Sequence, residues 1–194
     1  MSLLDQAKFL HDISRTSDIG RRYFVVNGFD GALTMLGMII GFLISAGDDL
    51  VVIINTCLAA AIALGMSGLS SAYISEVAER KRELVKLEEA MIADLGATAH
   101  GDAARWVPVW IALVNGLAPL VISLLILLPL WLSRAGLPLP LPPLYAAIAV
   151  ALVLVFMLGV LLGQVAGISW LRSGMQTLLV AIVTAVLIYI FTGF

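Results

Sequence analysis

Five stretches of this chain are each long and apolar enough to cross a bilayer as a helix, which leaves few other folds open. Crossing the hydrocarbon core takes about 20 predominantly apolar residues. The stretches run roughly from Tyr23 to Ala46, Leu50 to Tyr73, Trp106 to Leu132, Leu144 to Ala166 and Gly174 to Phe194. Composition argues the same way, since 61% of residues are hydrophobic and 12% charged. A soluble domain of this length leaves about 30% of its unfolded surface in water, and this chain lacks the polar residues to cover it. The expected fold is an all-α membrane protein with five transmembrane helices. It divides into an N-terminal amphipathic segment over 1–22 and a five-helix domain over 23–194, interrupted by a polar insertion at 75–105.

The connectors are short. Gly47-Asp48-Asp49 turns the first span into the second, Leu137-Pro138-Leu139-Pro140-Leu141-Pro142-Pro143 separates the third from the fourth, and Gly167 to Ser173 joins the last two. Met1 to Arg22 is polar, carries Asp5, Asp12 and Asp18 and has no cleavage-type site, so it does not read as a signal peptide. Leu3, Leu4, Ala7, Leu10 and Ile13 recur near helical spacing, which predicts a helix lying along the membrane surface.

Lysine and arginine concentrate in cytoplasmic loops. A cytoplasmic N-terminus puts Lys8, Arg15, Arg21, Arg22, Arg80, Lys81, Arg82, Lys86, Arg105 and Arg172 on that side and leaves only Arg134 opposite. Five crossings then carry the C-terminus to the far side. An odd number of spans excludes a simple two-fold internal repeat, so any two-fold symmetric arrangement would need a homodimer. The expected location is integral and multi-pass: the cell membrane of a prokaryote, or an organelle membrane of a eukaryote. The lone Cys57 cannot form an intramolecular disulfide.

Asp30 is the one ionisable residue well inside an apolar span, in Asn27-Gly28-Phe29-Asp30-Gly31. A carboxylate at membrane depth costs roughly 2.5–3.5 kcal/mol on insertion scales and marks a functional site by default. The flanking glycines are expected to weaken helical order and to allow close backbone approach, which is useful where an ion must reach a buried ligand. Asn27, Asp30 and Thr34 share one helix face, with Met38 a turn further on. Met66, Ser67, Ser70 and Ser71 gather in the second span, Asn115, Gly116 and Pro119 interrupt the third, and Gln164 lies late in the fourth. Serines in membrane helices often bond back to backbone, and Gly37, Gly41, Gly159, Gly163 and Gly167 are expected to permit close helix packing.

From Glu76 to Met91 the chain is rich in helix formers and free of glycine and proline, so the second span is predicted to continue as a helix into the cytoplasm. Val77, Leu84, Leu87, Met91 and Leu95 make its apolar stripe. Glu76, Glu79 and Glu83 fall at i, i+3 and i+7, and three carboxylates on one face can collect a divalent cation. The competing reading is a solvated helix laced by Glu76–Arg80 and Glu79–Arg82 pairs. Gly96 is expected to end this helix, and Gly96 to Arg105, with His100 and Asp102, to form a polar return.

Arg22-Tyr23-Phe24-Val25-Val26-Asn27-Gly28-Phe29-Asp30-Gly31-Ala32-Leu33-Thr34-Met35-Leu36-Gly37 resembles the first helix of the vacuolar iron transporter family. Gly65-Met66-Ser67 followed by Ala72-Tyr73-Ile74-Ser75 is similar to its second helix. Pro108, Asn115-Gly116, Phe156-Met157-Leu158-Gly159, Arg172 and Tyr189-Ile190-Phe191-Thr192-Gly193 follow in matching order, so the resemblance runs from about Arg21 to the C-terminus. Two departures stand out: only about thirty residues separate the second and third spans, against a three-helix domain in larger members, and Ala72 replaces an expected glutamate.

The resemblance implies export of ferrous iron or manganese from the cytosol, in many members by proton exchange, through dimers of five-helix subunits. It implies a metal-coordinating, proton-exchanging role for Asp30 and a pathway role for Met66, whose thioether favours a transition metal over magnesium or calcium. Asn27, Thr34 and Asn115 complete the expected path, and Glu76, Glu79 and Glu83 are candidates for cytoplasmic metal capture. The expected partners are divalent transition-metal ions, protons, the lipid bilayer and a second copy, with no nucleic acid, no resident cofactor and no enzymatic reaction. The alternatives are a membrane scaffold, with Asp30 paired to Arg21 or Arg22, or a metal-sensing membrane protein.

Overall fold

The computed structural model of the chain describes residues 16–45, 47 and 49–192. Five helices account for nearly all of them: α1 Thr16–Ile44, α2 Leu50–Met91, α3 Ala99–Arg134, α4 Pro143–Ala166 and α5 Trp170–Thr192. Each contains a segment long and apolar enough to cross a membrane, the architecture of a multi-pass membrane protein. The surface helix expected over the N-terminal segment falls largely on residues 1–15, outside the described residues.

The ends of the helices follow local chemistry. The Asp49 carboxylate accepts the Val51 N–H at 2.8 Å and the Val52 N–H at 3.4 Å, capping α2. Pro143 opens α4, where its missing N–H costs no helical bond. Gly167, expected to serve helix packing, instead ends α4 in the left-handed conformation at φ 66°.

α2 runs unbroken for 42 residues. At 1.5 Å per residue this is about 63 Å, twice the hydrocarbon thickness, so its charged second half continues beyond any single crossing. The helix ends at Met91, before the expected Gly96, and Ile92 takes a left-handed φ of 51°. The Glu88 carboxylate then accepts the Leu95 N–H at 3.0 Å. The stretch expected as an irregular return is helical from Ala99 onward. Thr98 explains the early start: its hydroxyl oxygen accepts the His100 N–H and its carbonyl the Asp102 N–H, while Asp102 complements the helix N-terminus.

The described residues divide into two compact units. One is drawn from Met1–Phe24 and Gly65–Leu117, the other from Val25–Leu64 and Ala118–Phe194. In the first, Tyr23 packs on the buried trio Ala103, Val107 and Ile111. In the second, Met35, Leu36 and Ile39 of α1 and Ile126, Leu127 and Leu130 of α3 are buried. Close approaches fix the packing there. A Cβ at Gly31 would stand 2.7 Å from the Pro119 carbonyl oxygen, and one at Gly159 would collide with the Thr177 side chain. The Thr177 hydroxyl is shared between Gly174 O of its own helix at 2.8 Å and Val155 O of α4 at 3.1 Å. Gly41 meets nothing within 4 Å, so packing does not require it.

Candidate functional site

α1 has two contrasting sides within the second unit. Val25, Gly28, Ala32, Met35 and Ile39 are buried and carry the helix against its neighbours. Asn27, Asp30 and Thr34 lie on another side, where Asp30 is exposed and the other two are partly exposed. Asp30 stands about 15 Å along the helix from Gly20, where the apolar segment begins, and about 21 Å from its end at Ile44. No described residue forms an ion pair with it.

The glycines beside Asp30 serve the close approach expected of them, toward neighbouring helices and without a break in their own. α1 is continuous through them, and both are buried: a Cβ at Gly28 would lie 3.2 Å from Leu158, and Gly31 abuts Pro119. They seat α1 closely on α3 and α4 and so turn Asp30 away from that packed face. Arg22 is exposed and stacks over the Tyr23 ring at 5.7 Å.

The first unit holds Met66 and Asn115. Met66 is 58% exposed on α2, while Gly65 and Ala72 on its other side are buried. The Ser70 hydroxyl donates to Met66 O and the Ser71 hydroxyl to Gly68 O, the backbone bonding expected of membrane serines. Asn115 does not line an open face: it is 5% exposed and its amide donates to Gly68 O at 2.6 Å.

On the polar half of α2, Arg80 occupies the face shared by the glutamates. It lies 3.6 Å from Glu76 and donates to Glu83 at 3.0 Å. The Tyr23 hydroxyl also donates to Glu76, at 3.3 Å. Glu79 is exposed, and no ion pair joins it to Arg82 among the described residues. Two of the three carboxylates thus share one arginine, and no cluster of three His, Cys, Asp or Glu residues able to hold a metal occurs among the described residues. A cavity of about 260 Å³ lies alongside, lined by Arg80, Glu83, Leu84, Leu87 and His100.

Comparison with known proteins adds one relative. The chain is 29% identical over 174 residues to an uncharacterized protein of Methanocaldococcus jannaschii, covering 88% of this chain and 87% of the relative. No family model and no solved structure matches.

Proposed function

We propose that this chain is a carrier that exports ferrous iron or manganese from the cytosol in exchange for protons, working as a homodimer. The observation that carries the reading is the exposure of Asp30 midway along an apolar helix. An ionised carboxylate on a lipid-facing surface is expensive, so this face belongs against a watered path or a second copy. Partly exposed Asn27 and Thr34 extend the same polar face. A carboxylate that binds a cation in one step and a proton in the next gives exchange without further machinery. The resemblance of the first-helix sequence supplies the substrate class. The charge bias supports a cytoplasmic N-terminus and a cytoplasmic location for the polar half of α2.

The direct test is metal flux into liposomes holding the purified protein, with an imposed proton gradient and a metal-sensitive dye inside. Protein-dependent entry of iron or manganese that alkalinises the lumen supports the reading; entry that acidifies it, or flux no greater than in protein-free liposomes, sinks it. Met66 refines it. Its exposure leaves little packing to lose, so Met66→Leu should fold normally. The variant is expected to lose discrimination of iron over calcium, because the thioether prefers softer cations. Competition between the two ions in the same liposomes checks this, and unchanged selectivity would assign Met66 to the surface.

The glutamates act at most as collectors. Replacing Glu76, Glu79 and Glu83 by glutamine should raise the apparent KM for metal at low salt and leave the maximal rate largely intact, since long-range attraction is screened. Arg80 already pairs with two of the three, so the KM change should be a few-fold only, and it should vanish at high ionic strength.

A further inference from the structure

We infer that Asn115 is a positioning residue whose bond to the Gly68 carbonyl sets the rotation of α2, and with it the direction in which Met66 points. Only the transport consequence of this inference rests on the reading above; the geometry stands without it. The two helices meet backbone to backbone. The Asn115 amide reaches Gly68 O at 2.6 Å. A Cβ at Gly116 would stand 2.6 Å from Gly65 O and 2.7 Å from the Leu69 Cβ, and one at Gly68 would stand 3.0 Å from Asn115 O. The residues of α2 turned to this contact, Gly65 and Gly68, bracket Met66, which is exposed on the other side.

In lipid, helices gain nothing from hiding apolar surface against one another, so close packing and interhelical hydrogen bonds set their mutual rotation. Here the glycines bring the two backbones into close contact, with the Leu69 Cβ beside Gly116. The amide bond is the directional element. Asn115 is buried, so an amide left without this acceptor is costly, and the helices hold the rotation that keeps it. Leucine at 115 keeps the branched shape, adds volume and removes the donor, which is why Gly68→Ala is needed beside it. α2 is then free to populate other rotations, and Met66 changes its surroundings.

The test uses a nitroxide on Met66→Cys in a Cys57→Ser background, in liposomes, with a second label on Leu179→Cys as a reference site. With Asn115→Leu, the ratio of spectral components at position 66 should change by about two- to tenfold, the equilibrium weight of one net hydrogen bond. The reference spectrum should stay the same. An unchanged spectrum at 66, or equal changes at both sites, overturns the inference. Gly68→Ala perturbs the same contact from the other helix and decides the question if Asn115→Leu does not fold: it too should shift position 66, and no shift overturns the inference. In transport, Asn115→Leu should lower iron-over-calcium selectivity in the parent and add nothing in the Met66→Leu background. Additive losses would reduce Asn115 to general stability. Absence of flux from every protein, the parent included, would sink the transport reading while leaving the spectroscopic result to decide this one.

Discussion

Asp30→Asn is expected to abolish metal flux while leaving the protein folded. The side chain is exposed and the buried contacts of Gly28 and Gly31 are untouched, so the change belongs to the class of surface substitutions that alter stability by about 0.5 kcal/mol or less. Asparagine keeps the shape and loses both the charge and the titratable proton. Losing an outer-shell partner of a metal ligand already costs about 10–100-fold, so losing the ligand itself should reduce flux at least about a hundredfold. Any residual flux should no longer respond to the proton gradient. Asp30→Glu keeps the charge with one more methylene and should retain part of the activity. Iron or manganese flux at the parent rate in Asp30→Asn, from protein that remains monodisperse, would remove Asp30 from the path and with it the main support for proton exchange.

The five spans were legible because membrane helices announce themselves by length and composition, and the unbroken α2 because no glycine or proline interrupts Glu76 to Met91. The early start of α3 was also written in the sequence. Thr98 followed by Asp102 is a helix-opening pattern, hidden by the polar character of His100-Gly101-Asp102. Close approach at the glycines beside Asp30 was legible but its partners were not: Val25, Gly28, Ala32, Met35 and Ile39 form a regular buried stripe, and no local pattern names the Pro119 and Leu158 that meet Gly31 and Gly28. The Glu76–Arg80 pair follows from helical spacing. The bonds from Tyr23 to Glu76 and from Asn115 to Gly68 join residues 53 and 47 positions apart, and no local pattern encodes such partners.

Gly31→Val should be among the most disruptive substitutions in the second unit, and the reason is the kind of atom it meets. The new Cβ would lie 2.7 Å from the Pro119 carbonyl oxygen, 2.8 Å from its Cα and 3.1 Å from its carbonyl carbon. A side chain could rotate aside; backbone of a helix cannot, so α1 and α3 must separate. Overpacking of this kind costs about 1–3 kcal/mol, which for a chain of this size lowers Tm by roughly 2–12 °C. Gly41→Val is the matched control, since a Cβ there meets nothing within 4 Å and the helix-propensity change is the same. Thermal unfolding of both in one detergent separates packing from propensity: a large loss at 31 with Tm at 41 near the parent value is the expected pair. Because the separation must move the residue next to Gly31, the same variant should also lose flux with Asp30 chemically intact. Equal Tm values for the two variants would mean that α1 does not rest on Pro119, and the turning of Asp30 away from the packed face would lose its cause.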